Sequence, residues 1–262
     1  MKLELEGKVV LVTGGSKGIG LACARGFAAE GARVAIASRS QANLDAAVAQ
    51  LAAEGITAVA VAADLSRTDT APAMVQAVEA ALGPIDVLVN SAGAAGRTPY
   101  SELTPAHWHA AMDAKYFPYV HAMDAVLPGM AARRGGVVVN IVGMGGKVAT
   151  PTHLPGGAAN AALMLAGSGL ATAYAPHGVR LNTVNPASTL TTRLKQGMEA
   201  DARLAGITED EAQRRAVARV PLGRLATPEE VADLVVFLAS ARASYVTGAV
   251  IGMDGAATPL VV

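Results

Sequence analysis

The segment KVVLVTGGSKGIG, residues 8–20, constrains this chain more than any other. Val9, Val10, Leu11 and Val12 make an unbroken aliphatic run, which reads as a strand buried on both faces. Glycines at 14, 18 and 20 follow as the sequence passes into the helical pattern GIGLACARGFAAEG. Gly14 permits a tight turn, Gly18 lets the backbone come close to a pyrophosphate, and Gly20 lets helix and strand pack closely. The first turn of the helix offers unpaired N–H groups and a positive dipole end to a phosphate. Alone, such a glycine triplet can be a βα turn that only packs. After a strand, before a helix and ahead of a second strand over 33–37, it reads as a dinucleotide-binding turn.

The rest of the chain alternates at the spacing of βαβ units. Strands are expected over 57–62, 85–90, 136–142, 179–184 and 246–251. Helices are expected over 41–54, 68–82, 156–175 and 228–238, with a long helix over 105–130 interrupted at Pro118. Thr227 caps the 228–238 helix, and Glu229 and Glu230 lie in its first turn. The 190–219 segment is polar, partly helical and outside these units. No linker divides the 262 residues, so one α/β domain is expected, a doubly wound parallel sheet with ligands at the carboxyl ends of its strands. A 52% hydrophobic composition with 28 glycines suits a sheet covered on both faces.

Formal net charge is zero and no long basic run occurs, which gives nucleic acid or an anionic membrane no electrostatic handle. The single cysteine, Cys23, falls on the apolar face of the first helix and reads as core. The charged start runs directly into the first strand, without a signal-peptide pattern or an 18-residue apolar span, so a cytoplasmic protein is expected.

Arg39 stands just past the second strand, where NAD-preferring folds usually carry an acid for the ribose 2′-OH. Together with Lys17 it suits a 2′-phosphate, which favours NADP(H) over NAD(H). Its alternative is a solvated loop charge. Asp64 and Leu65 are expected to flank the adenine. Asn90, Ser91, Ala92 and Gly93 put small residues where the backbone passes close to the cofactor.

With these motifs in view, the chain resembles the short-chain dehydrogenase/reductase family along its whole length. The likeness is carried by 13–20 (TGGSKGIG), Asp64, 90–93 (NSAG), 178–186 (GVRLNTVNP), 221–224 (PLGR), 228–232 (PEEVA), 246–248 (VTG) and Asp254-Gly255. It implies a seven-stranded parallel sheet, an NAD(P) cofactor, alcohol–carbonyl interconversion and commonly a homotetramer. By resemblance the cofactor contacts include Gly14, Ser16, Lys17, Gly18, Ile19, Gly20, Asn90, Ala92, Gly93, Pro186 and Thr191. The 190–219 segment corresponds to the insertion that covers the substrate, with Thr208 capping a helix from Glu209.

The family's chemistry uses a Tyr as acid/base, a Lys four residues later, a Ser and an Asn. Local register puts Lys115 at the Asn position, seven residues after Trp108. Gly143 falls at the Ser position, Gly156 at the Tyr position and Asn160 at the Lys position. All four expected residues are absent. A positioned acid/base contributes about 10²–10⁴ in rate, so the resemblance carries the fold and cofactor loop further than the mechanism.

Three side chains are candidate replacements. Lys115 could reach the nicotinamide ribose or a substrate oxygen from the opposite side, or else snorkel off its helix. Tyr119, four residues on, shares its helix face and could serve as acid, or be core or subunit interface. His153, three residues before the vacated Tyr position, can move protons near neutral pH, or be a surface loop residue. Pro118 lacks an N–H, which leaves the Ala114 carbonyl open to a water or ligand. Lys147 and Ser188 border the same cleft. Gly143, Gly145, Gly146, Gly156 and Gly157 leave either room for a bulky ligand or an unoccupied site. The remaining histidines show no metal-ligand spacing. The leading expectation is an NADP(H)-binding oxidoreductase-like protein with a rewired or weakened proton-transfer site. Its rivals are a non-catalytic nucleotide-binding or scaffold subunit and a non-redox enzyme on the same fold.

Overall fold

The computed structural model describes residues 2–93 and 96–260. The strands are β1 (Val9–Thr13), β2 (Arg33–Ser38), β3 (Ala58–Ala62), β4 (Val87–Asn90), β5 (Gly136–Ile141), β6 (Val179–Pro186) and β7 (Val250–Met253). Between them run α1 (Gly18–Ala29), α2 (Gln41–Ala53), α3 (Thr70–Leu82), α4 (Pro105–Ala111), α5 (Phe117–Ala132) and α6 (Leu154–Tyr174). Three more helices, α7 (Thr192–Ala205), α8 (Glu209–Ala218) and α9 (Pro228–Ala239), lie between β6 and β7. The seven strands form one sheet in the order β3-β2-β1-β4-β5-β6-β7, and all their pairings are parallel. The order reverses between β1 and β4, and the switch point opens at the carboxyl ends of these strands.

Aliphatic strands buried on both faces account for two cores. On one face Leu21, Cys23 and Phe27 of α1, Leu44 and Leu51 of α2, and Val231 and Val235 of α9 pack against Val10 and Val12. On the other, Met74 and Val78 of α3, Met123 and Leu127 of α5, and Leu163 of α6 pack against Leu11 and Leu88. Burial pushes the Cys23 thiol far up from its ordinary range, so it acts as an apolar core group.

Buried polar side chains tie the strand ends together. Asn90 Nδ2 donates to Asn140 Oδ1 at 2.9 Å, and the Thr13 hydroxyl lies 3.2 Å from Asn90 Oδ1. This joins β1, β4 and β5 where each strand meets its cleft loop. Arg180 ends α9: its guanidinium donates to the carbonyls of Leu238 at 2.8 Å and Ser240 at 3.0 Å. A cation there meets the negative end of the helix dipole. At the other end of α9, Thr227 and Glu230 form a reciprocal capping box, and Arg224 pairs with Glu230 at 2.6 Å.

Two expected elements are placed differently. The long helix is interrupted before Pro118, by a π-helical turn over Met112–Tyr116 in which the Phe117 N–H bonds the Met112 carbonyl, five residues back. Proline's ring crowds the carbonyl four residues earlier, and the wider turn relieves that crowding. The Ala114 carbonyl, expected to be open to a ligand, abuts Gly93, where an added Cβ would run into its oxygen. The last strand begins at Val250 rather than 246, because Gly248 turns with φ +74°. Residues 246–249 still meet β6, through the Gly248 N–H on the Leu181 carbonyl at 2.7 Å, the Thr183 N–H on the Ala249 carbonyl at 2.8 Å, and Asn182 Nδ2 donating to the Val246 carbonyl at 2.8 Å.

Candidate active site

The glycine loop between β1 and α1 folds back on its own backbone. Gly14 takes φ +68°, and a Cβ there would lie 2.6 Å from the Ser91 carbonyl oxygen. A Cβ on Gly20 would strike the Gly14 carbonyl, so the close helix–strand approach expected of Gly20 is present. Gly18 has φ +53°, and a Cβ added there would lie 3.3 Å from the Thr191 methyl. Lys17, the N-cap residue, makes no side-chain cap bond, so no capping side chain covers the first N–H groups of α1. Lys17 is exposed, while Ser16 and Ile19 are half-buried. This cradle has the free donors, the dipole end and the absent side chains that a pyrophosphate requires.

Arg39 is exposed just beyond β2. Ser66 donates to Asp64 Oδ1 through its hydroxyl at 2.8 Å and its N–H at 3.2 Å. The Ser66 hydroxyl bond, with Arg39 and Arg67 nearby, holds the Asp64 carboxyl below the usual range. Arg39 and Asp64 thus share one lip of the cleft.

Several residues expected to contact the cofactor also have a structural job. The Leu65 side chain is buried in the core, and its carbonyl is 2.9 Å from His121 Nδ1, so it offers no side chain to an adenine. Asn90 is fully buried and spent on Thr13 and Asn140. Ala92 packs against the core, and a Cβ on Gly93 would run into the Ala114 carbonyl. Pro186 is buried at the end of β6. The Thr191 hydroxyl accepts the Leu194 N–H at 3.2 Å at the start of α7. Lys147 turns from the cleft to the Val250 carbonyl at 3.4 Å, and the Ser188 carbonyl accepts from Ala226.

Around the expected Ser position, the glycines at 143, 145, 146 and 157 have close neighbours rather than open space. The Asn160 amide nitrogen is 3.4 Å from where a Gly143 side chain would begin, and His153 Cδ2 is 3.1 Å from the same point on Gly145. At Gly146 a Cβ would meet Met164 and the Ala161 nitrogen, and at Gly157 the Gly145 carbonyl. These glycines let α6 press onto the 143–147 turn, so they do not enlarge the cleft. Gly143 is fixed from behind, its N–H donating to Asn185 Oδ1 at 3.1 Å.

Lys115 lies in the π-turn with 8% exposure. Its Nζ donates to the Tyr119 hydroxyl at 2.8 Å and to the Ile141 carbonyl at 3.1 Å. Nζ also sits 4.5 Å from the Tyr119 ring centre. Tyr119 is 0% exposed and donates to the same Ile141 carbonyl, so it cannot touch a substrate and is not the direct acid expected of it. His153, the N-cap residue of α6, is half-buried. Its burial, with the positive charges of Arg97 and Lys115, holds its pKa below the ordinary histidine range. Arg97 was missed by sequence reading, because only the fold brings its segment beside 150–153 through a Thr98 N–H to Thr152 carbonyl bond of 3.0 Å. Asn185 was read only as part of a motif.

Residues 14–258 match the family model described as "Enoyl-(Acyl carrier protein) reductase". A curated relative, 2-(S)-hydroxypropyl-CoM dehydrogenase 3 of Xanthobacter autotrophicus, is 34% identical over 99% of this chain and 100% of its own. The chain belongs to the short-chain dehydrogenase/reductase family. As a short-chain dehydrogenase/reductase it shares its fold with L-sorbose reductase from Gluconobacter frateurii, solved with NADPH and L-sorbose. That match has a TM-score of 0.92 and 30% identity over 100% of both chains. An NAD+-bound xylitol dehydrogenase matches at TM-score 0.91 and 25% identity, over 96% of this chain and 99% of the other. The family is one of oxidoreductases, and this member has its NAD(P)-binding Rossmann-type fold. Among the described residues no helix is long and apolar enough to cross a membrane, and no His, Cys, Asp and Glu group could hold a metal.

Proposed function

We propose that this chain binds NADP(H) and interconverts a carbonyl and an alcohol, with proton handling moved from the usual Tyr-x-x-x-Lys of α6 to groups around Lys115. The observation that carries the reading is the Lys115–Tyr119 pair, an ammonium and a phenol 2.8 Å apart at the end of β5. These are the two functional groups the family uses, with their order along the chain reversed. Lys115 is the end with residual exposure, and Tyr119 holds it from behind.

The α1 cradle from Gly14 to Gly20 would hold the pyrophosphate, and Lys17 and Arg39 would hold a 2′-phosphate. NADP(H) is the preference these two cations support. When bound, the reduced nicotinamide supplies hydride, and the chain's own groups must bind the substrate oxygen and bring it a proton. Residues 190–219 act as a cover on the substrate side, on one dinucleotide-binding domain that assembles with copies of itself. The reading is tested by NADPH oxidation with ketones, aldehydes and quinones. Carbonyl-dependent turnover lost in Lys115→Met supports it.

A second reading, a non-catalytic nucleotide-binding subunit, is favoured by one observation. Lys115 and Tyr119 both turn to the Ile141 carbonyl. NADPH binding without turnover on any carbonyl would select it. Product formed with no change in nicotinamide absorbance would point instead to non-redox chemistry on the same fold.

A further inference from the structure

Asn160 lies on α6, one turn after Gly156, at the position where the family carries its lysine. It is 6% exposed, and its side chain makes no hydrogen bond to any described residue. Buried amides are almost always paired, so one without a partner calls for an explanation. The amide nitrogen lies over the turn that leaves β5. It is 3.4 Å from the point where a Gly143 side chain would begin and 3.6 Å from the same point on Gly145. The Pro186 carbonyl, at the end of β6, is 3.8 Å from that Gly143 point. The amide therefore stands at the carboxyl ends of β5 and β6, the end of the sheet where such folds take their ligands. It also stands where the family's serine would start. Unlike His153 Nδ1, its polar atoms are not closed off from solvent. The turn beneath it brings no polar side chain of its own at 143, 145 or 146, which are glycines. An amide presents a donor and an acceptor side by side, and here neither Nδ2–H nor Oδ1 is spent on the described residues.

We propose that Asn160 is the substrate-reading residue of this site, and that the substrate it reads is an α-hydroxy ketone. Nδ2–H donates to the carbonyl oxygen, and Oδ1 accepts from the hydroxyl on the neighbouring carbon. The assignment rests on the carbonyl–alcohol reading above and names its substrate class. A plain ketone would satisfy Nδ2 and leave Oδ1 without a donor. Two oxygens on adjacent carbons, one an acceptor and the other a donor, match both atoms of one amide. Asn160 forms no covalent bond and neither gives nor takes a proton. As negative charge grows on the carbonyl oxygen, the Nδ2 hydrogen bond strengthens, so it lowers the barrier as well as orienting the ketone. A buried amide without a partner weakens the fold that holds it, and the ligand supplies the partners the fold withholds.

The test compares hydroxyacetone with acetone, which differ by that one hydroxyl, in NADPH oxidation by the full-length parent, Asn160→Leu and Asn160→Asp. The parent should favour hydroxyacetone in kcat/KM by about 10- to 100-fold. Asn160→Leu keeps most of the volume and removes both polar atoms, so that preference should shrink by about tenfold or more. Asn160→Asp keeps the acceptor and loses the donor. Its kcat/KM should fall by about tenfold or more for both ketones while hydroxyacetone stays preferred. NADPH affinity should stay within about twofold of the parent in both variants. Because the amide has no partner in the fold, the urea midpoint of Asn160→Leu should be no lower than the parent's, which an amide kept for structure would not allow. An unchanged hydroxyacetone preference in Asn160→Leu, or a loss confined to NADPH affinity, would overturn the assignment alone. Absence of carbonyl-dependent NADPH oxidation in the parent would overturn the functional reading, and the assignment with it.

Discussion

Lys115 Nζ stands 2.8 Å from the Tyr119 hydroxyl, four residues on, and both groups close on the carbonyl of Ile141. The chain thus buries an ammonium–phenol pair beside the exit of β5, on the helix opposite the one where its relatives carry theirs. Such a group is rarely buried without a partner, and here the phenol, the ring face and a backbone carbonyl share that task.

Replacing Lys115 by Met removes the ammonium and keeps most of the volume. Carbonyl-dependent NADPH oxidation should fall about 10²-fold or more, while NADPH affinity stays within about twofold. Steady-state kinetics and calorimetry on the same preparation check both halves. Tyr119→Phe should cost about 1–3 kcal/mol in urea unfolding, because Lys115 and the Ile141 carbonyl each lose a buried partner.

Arg39→Ala should weaken NADPH binding by about 10- to 100-fold, the scale of a lost charge-assisted phosphate contact. NADH affinity should barely change. Parallel fluorescence titrations with the two dinucleotides read the difference, and equal losses for both would remove Arg39 from 2′-phosphate recognition.

Gly93→Ala would force a side chain into the Ala114 carbonyl at a residue with φ +94°. A loss of at least about 2 kcal/mol is expected from strain at such a position. Gly96→Ala, where a Cβ meets nothing within 4 Å, is the control. Equal stability of the two variants in chemical denaturation would contradict the close packing of the 90–93 loop on the π-turn.

The Arg224 guanidinium and the Thr227 N–H hold the Glu230 carboxyl down at about 2. A carboxylate depressed in the folded state stabilises above its ordinary range and loses that contribution as pH falls through the folded value. Glu230→Gln should therefore melt below the parent at neutral pH. The gap should narrow as pH drops from about 4.5 toward 2. Melting curves across that window test the sign, and a gap that widens on acidification would contradict it.

The sheet order and the glycine cradle were legible from the sequence because aliphatic runs and glycine spacing are local signals with one dominant physical cause. Gly14 and Gly20 are glycines for the reasons their spacing gave. The reasons for Gly93, Asn90 and Leu65 were not legible. Each depends on a segment distant in the chain: the Ala114 carbonyl, Asn140 and the buried core under β3. The π-turn escaped for a related reason, since Pro118 announces a break but not where the helix absorbs it. The backfilling of Gly143 and Gly145 by Asn160 and His153 is a tertiary fact that no glycine count contains.

Everything about the site depends on whether the cradle between β1 and α1 holds a dinucleotide. Calorimetric titration of the full chain with NADPH measures this without assuming any substrate. The account predicts saturable binding at one site per chain. A titration with no saturable heat, repeated at a second temperature to exclude a silent enthalpy, would contradict it.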